Sequence, residues 1–288
     1  MSEMTLARTD MRDMRSRTGR SYRIFVLKPD REPPPSGFPV LYLLDGNATF
    51  PTAAICAALQ ARRPQTTGVG PALVVGIGYP VDDYLDATSR TYDYTPLVEP
   101  DELPRRPDGS AWPPHGGADA FLNFIETDLK PALGREFAID ASRQAIFGHS
   151  FGGLFVLHAL FTQPRSFRFY IAASPSIWFA KSLILAQAES FVRQHHEDRD
   201  PRDLLVTVGS LERAATTLES PGANTIADKR WLQQNRMVDN ARDMAAQLSA
   251  AEMTALNVAF KEFDDENHSS VLPAAISRAV RLALAPTR

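Results

Sequence analysis

Arg143-Gln144-Ala145-Ile146-Phe147-Gly148-His149-Ser150-Phe151-Gly152-Gly153 runs from a short, largely apolar segment into a tight turn flanked by glycines. The centre of the run has the form G-x-S-x-G, the pattern of a nucleophile elbow. Residues 143–147 predict a buried parallel strand. The uninterrupted apolar run 154–161 predicts a helix buried beneath a sheet. In that strand–turn–helix setting a strained turn lifts the hydroxyl of Ser150 above the sheet edge. It also aims the unpaired N–H groups of the helix start at any anion formed there. The turn is sharp enough to call for small residues two positions either side of the serine, and Gly148 and Gly152 meet that requirement. A glycine-rich turn with an incidental serine is the rival reading, and the two flanks favour the nucleophile.

The 288 residues are ample for the core of one large α/β domain. A formal charge of −3 gives no general electrostatic reason to bind nucleic acid or an anionic membrane. One cysteine, Cys56, leaves no intrachain disulfide to form, and its alanine-rich surroundings predict a small buried side chain. No apolar run approaches the ~20 residues that span a bilayer. The first residues, Met1-Ser2-Glu3-Met4, lead into alternating charges and not into a signal peptide, so a cytoplasmic protein is expected.

Continuous apolar runs at 39–44, 71–78, 167–173, 204–209 and 256–263 read as further strands, and 21–27 as a strand in an antiparallel hairpin at one sheet edge. Helical patterns fall at 51–61, 118–133, 181–195, 229–250 and 271–284. The alternation predicts an α/β-hydrolase fold: one domain over 1–288, a mostly parallel central sheet, helices on both faces and the N-terminal hairpin. Residues 79–117, rich in proline and aromatics, are too long for a plain connection and read as a long loop or lid-like insertion over the site.

A serine hydroxyl needs a base, and the base needs an orienting group, in the chain order serine, acid, histidine for this fold. His149 sits in the elbow with its side chain expected to point away from that of Ser150. His158 lies on the buried helix, His195 and His196 in a charged run, and His115 before the elbow. His268, just beyond the last strand, is left as the base. Glu212 is the first carboxylate after the strand at 204–209 and the favoured acid. Asp239, Asp264 and Asp265 are the other carboxylates considered, and a Ser–His dyad stays open. The oxyanion hole is expected from the backbone N–H groups of Phe151 and of Asn47, in the loop Asp45-Gly46-Asn47 after the strand at 39–44. No histidines and carboxylates fall at metal-ligand spacing, so neither metal nor cofactor is called for.

Several blocks are shared with a known family. Leu43-Leu44-Asp45-Gly46-Asn47, Arg90-Thr91-Tyr92-Asp93-Tyr94-Thr95-Pro96, the elbow through Phe155, Ser174-Pro175-Ser176-Ile177-Trp178 and Glu266-Asn267-His268 resemble the esterase-D-like family of α/β-hydrolases. Within it the nearest likeness is to the enterobactin and salmochelin esterases, over residues 40 to 270 or so. The resemblance implies hydrolysis of the ester bonds of a catecholate siderophore, with release of iron. It implies Ser150 as nucleophile, His268 as base and Glu212 or no acid behind it. It also implies a ligand contact from Arg90, to which Arg105 or Arg106 could add, and ring stacking on Trp178. Independently of it, glycine at 46 would let the backbone of the Asp45-Gly46-Asn47 loop approach the substrate. A general carboxylesterase or thioesterase acting on small acyl esters is the alternative. An acyltransferase and a non-catalytic binding protein are further rivals. Export signals and the extra N-terminal domain of some relatives have no counterpart in this reading.

Overall fold

A computed structural model describes residues 5–106, 108–213 and 235–285. Eight strands form one sheet in the order β1-β2-β4-β3-β5-β6-β7-β8. They are β1 Thr9–Arg15, β2 Ser21–Leu27, β3 Phe38–Leu44, β4 Leu73–Gly78, β5 Ile139–His149, β6 Phe169–Ala173, β7 Arg202–Gly209 and β8 Leu256–Phe263. The β1–β2 and β2–β4 pairs are antiparallel, and every pair from β4 to β8 is parallel. This is the architecture of an α/β-hydrolase, with its antiparallel hairpin at the N-terminus. All residues of β3, β4 and β6 are buried, as strands covered on both faces must be. The edge strand β1 carries Asp10, Arg12, Asp13 and Arg15, charges that discourage pairing with another chain.

The helices are α1 Gly46–Ala61, α2 Pro64–Thr67, α3 Ala87–Tyr94, α4 Ala118–Phe124, α5 Lys130–Glu136, α6 Phe151–Thr162, α7 Lys181–His195, α8 Met237–Ala250 and α9 Val271–Leu284. A π turn, Ile125–Leu129, joins α4 to α5. On one sheet face α1 packs on α9, with small Ala53, Ala54 and Ala57 set among Ala275, Ile276, Ala279 and Val280. The other face carries α4, α6, α7 and α8 around Phe155, Leu157, Phe191 and Met244. Residues 152–161 of α6 are buried without exception, which explains a helix apolar all round.

Two elements differ from the sequence reading. Helix α1 starts at Gly46 and not near 51, because Asp45 adopts φ 53° and ψ 48° and turns the chain directly from β3 into the helix. Its carbonyl then accepts from Ala48 N at 2.9 Å and Thr49 N at 3.0 Å. The stretch 79–117 contains α3, capped by Asp86, whose Oδ1 accepts from Ser89 N at 2.9 Å. Tyr79, Tyr94 and Val98 anchor that stretch in the core. The helix expected over 229–250 is seen from Met237, and 229–234 lie outside the described residues. Cys56 is half-buried, not enclosed. No helix among the described residues is long and apolar enough to cross a membrane.

Candidate active site

Ser150 joins β5 to α6 with φ 60° and ψ −118°, a conformation rare for a residue with a side chain. The strain is held by its neighbours: Ser150 N donates to Ala173 O at 3.0 Å, and Ser150 O accepts from Leu154 N and Ser176 N. A Cβ on Gly148 would sit 2.2 Å from Gly152 O, so that glycine is obligatory. Gly152 differs from expectation, since a Cβ there would meet Leu44 at an ordinary 3.5 Å. The second tight position is Gly153, where a Cβ would lie 2.8 Å from Ala173 O.

The loops after β7 and β8 meet beside the elbow. His268 Nδ1 and Glu212 Oε2 are 2.7 Å apart. The other carboxylate oxygen, Oε1, accepts from Ser174 Oγ at 2.6 Å and from Gly209 N at 2.7 Å. A short 3₁₀ turn, Ser210–Glu212, folds the side chain of Glu212 back onto Gly209. The Glu212 side chain is 2% exposed and that of His268 43%. The two loops are joined directly: Leu211 N donates to Glu266 O at 3.0 Å and Asp265 N to Ser210 Oγ at 2.9 Å. Next to the acid, Arg213 Nη2 reaches both oxygens of Glu262 at 2.7 Å. The alternative carboxylates stand elsewhere: Asp239 pairs with Arg236 and Arg242 on α8, and Asp264 and Asp265 are exposed.

At the ends of the paired strands β3 and β5, α1 and α6 begin side by side. Neither Asn47 N nor Phe151 N is spent on a described residue, as expected for first-turn groups. The Asn47 side chain pins its loop, accepting from Tyr79 N at 2.9 Å and donating to Tyr79 O at 3.1 Å. A Cβ on Gly46 would lie 2.8 Å from the Gly76 backbone. Arg90 donates from Nε and Nη2 to the two oxygens of Asp45, both at 2.9 Å, and Nη2 also reaches His149 O at 3.5 Å. The guanidinium expected at a ligand is therefore mostly engaged in a buried two-pronged pair, and only Nη1 makes no hydrogen bond to a described residue.

The family model described as "Putative esterase" matches residues 15–247. The chain belongs to this esterase family. It is 43% identical over 283 residues to the ferri-bacillibactin esterase BesA of Bacillus subtilis, covering 98% of this chain and 91% of that one. It is 37% identical to the siderophore triacetylfusarinine C esterase of Aspergillus fumigatus, covering 92% and 89%. The crystal structure of the BES protein from Bacillus cereus superposes with a TM-score of 0.85 at 35% identity, over 100% of this chain and 99% of that one.

In this esterase the elbow histidine lies against the candidate base: the rings of His149 and His268 are 4.5 Å apart and inclined by 39°. His149 Nε2 is buried without a hydrogen-bond partner among the described residues. Burial first, with the His268 ring and the Arg90 guanidinium beside it, holds the His149 imidazole well below its ordinary pKa range. Ser150 Oγ itself pairs with Ser176 Oγ at 3.3 Å, and among the described residues no hydrogen bond joins it to His268. Catalytic hydrogen bonds are often long in unliganded enzymes and tighten in the substrate complex.

Trp178 belongs to an aromatic group on the elbow helix. Its ring lies 5.9 Å from Phe151 and 6.1 Å from Trp112, and Trp112 stands edge-on to Phe179 at 5.0 Å. Arg106 covers the Trp112 ring at 5.5 Å, whereas Arg105 is exposed. Sequence reasoning missed Ser174, Ser176, Trp112 and the position of His149. The Ser174–Trp178 block carried a signal for the two serines, but only its tryptophan was read.

Proposed function

We propose that this esterase opens the ester bonds of an iron-carrying siderophore through a Ser150–His268–Glu212 triad. The observation that carries the reading is the 2.7 Å bond from Glu212 to His268 Nδ1, made by two interlocked loops beside a serine on strained backbone. A carboxylate at Nδ1 requires the proton on that nitrogen, so Nε2 is left as the base. Ser150 Oγ attacks the ester carbonyl while Nε2 takes its proton. The N–H groups of Phe151 and Asn47 receive the oxyanion. The imidazolium then protonates the departing alcohol, and a water activated by the same nitrogen frees the acyl group.

The substrate class rests on the relatives named for ferri-bacillibactin, triacetylfusarinine C and enterobactin. A catecholate trilactone of the enterobactin type, iron-loaded or free, is the favoured member. Trp178, Phe151 and Trp112 offer aromatic faces for its rings. On this reading Arg90 Nη1, Asp45 and Gly46 contact the substrate, and the 79–117 stretch acts as a lid-like part of one domain spanning 1–288. A cytoplasmic setting accords with a single cysteine that has no disulfide partner. The test is a hydrolysis panel of ferric and iron-free trilactones beside p-nitrophenyl acetate, read by mass spectrometry. The trilactone should turn over orders of magnitude more efficiently, and Ser150→Ala should abolish both activities. Equal or better cleavage of the small acetate would move the assignment to a general carboxylesterase.

A further inference from the structure

Ser176 follows β6 and lies directly against the elbow. Its backbone N–H donates to Ser150 O at 3.1 Å, and its Oγ is 3.3 Å from Ser150 Oγ. The residue is 1% exposed. A buried hydroxyl must place its proton on an acceptor. Among the described residues the sole hydrogen-bond partner of Ser176 Oγ is Ser150 Oγ. Either oxygen could donate in this pair; with Ser176 as the donor its buried proton is placed, and Ser150 keeps its own proton for His268. The neighbouring Ser174 Oγ is occupied by Glu212 and does not compete for this role.

The geometry points to Ser176 as a further catalytic residue, whose hydroxyl donates a hydrogen bond to Ser150 Oγ in both half-reactions. This rests on Ser150 being the nucleophile. In acylation the Ser150 proton passes to His268 Nε2 as the Oγ–carbon bond forms, and the donor from Ser176 offsets the negative charge that gathers on Oγ. In deacylation the Oγ–carbon bond breaks and its electron pair returns to Oγ. The same donor holds that charge until His268 returns the proton. Ser176 gives up no proton in either step. The oxygen has lone pairs in the alcohol, the tetrahedral species and the ester, so the contact persists throughout.

The test compares wild type, Ser150→Ala, Ser176→Ala and Ser176→Thr, read by p-nitrophenyl acetate turnover and by the rate of labelling with a fluorophosphonate. Ser176→Ala removes the donor and little volume. Its kcat and its labelling rate should both fall about 5- to 20-fold, the weight of one hydrogen bond. KM and the thermal midpoint should stay near wild type, and Ser176→Thr, which keeps a hydroxyl, should recover most of the rate. Wild-type kcat and labelling in a folded Ser176→Ala enzyme would overturn the inference, as would a Thr variant no faster than the Ala variant. If the wild type resists the label, or Ser150→Ala still takes it, the nucleophile assignment falls instead.

Discussion

Glu212 holds His268 at 2.7 Å with one carboxylate oxygen while Ser174 Oγ and Gly209 N close off the other. The acid thus has no freedom to rotate away from the base. It is also more enclosed than the base, so its charge acts on the imidazole through little water. Glu212→Gln keeps the shape but can present an amide N–H to Nδ1 and favour the wrong tautomer. We expect kcat to fall by about 10²–10⁴-fold with KM little changed. Steady-state kinetics on p-nitrophenyl acetate check this, and undiminished turnover would assign the site as a Ser–His dyad.

The pair Arg90–Asp45 ties α3, in the 79–117 stretch, to the loop that offers Asn47 N. Both side chains are largely buried. Burial opposes the charge on Arg90, and Asp45 more than offsets that, raising the guanidinium above its ordinary value. Removing one partner leaves the other charged in a poorly solvated place. Arg90→Ala should therefore cost about 3–5 kcal/mol of stability, measured by urea unfolding. If the arginine served the ligand alone, stability would be unchanged and only KM would rise. The double variant Arg90→Ala/Asp45→Asn should recover part of the lost stability, because no lone charge is left inside.

His149 makes acid stability a local property of the site. In the unfolded chain its imidazole takes up a proton around pH 6.5, whereas burial first, then His268 and Arg90, keep it neutral in the fold well below that pH. Below 6.5 the unfolded chain consequently binds more protons than the native one. The contribution is present in full above that pH and is lost as pH falls, by at most about 1.4 kcal/mol per pH unit. His149→Phe keeps a ring against His268 and removes the titration. Melting curves between pH 7.5 and pH 5 should decline less steeply for the variant than for wild type. Parallel slopes would show that groups other than His149 carry the acid response.

Ser150 and His268 were legible because each is tied to a fixed place in the chain, one by the elbow pattern and one by the end of the last strand. Glu212 was less so, since any carboxylate after β7 would suit the order, and only the 3₁₀ turn that bends it onto Gly209 singles it out. The pattern named Gly148 and Gly152 but could not tell which packs tightly: Gly148 faces Gly152 O, Gly152 has room beside Leu44, and the second tight position is Gly153 against Ala173 O. Helix α3 carried no apolar period, because its buried positions are Thr91, Asp93 and Tyr94. The contact of His149 with His268 was not legible, because it joins residues far apart in the chain. The contacts of Trp112 join residues far apart in the chain, and no local pattern records them.

Besides Arg90, Trp112 brings the 79–117 stretch against the elbow. Its indole N–H is spent on Pro104 O at 2.6 Å, so the ring is fixed within its own loop before it meets Phe151, Trp178 and Phe179. The large aromatic area it places beside Ser150 matters to a substrate with several rings and hardly to an acetyl group. Trp112→Ala should raise KM for a catecholate trilactone about 10-fold, equivalent to about 1.4 kcal/mol of lost binding, and leave p-nitrophenyl acetate turnover within about twofold. Were both substrates to suffer alike, the ring would be holding Phe151 and the elbow in place, and the loop would act on the chemistry and not on the choice of substrate.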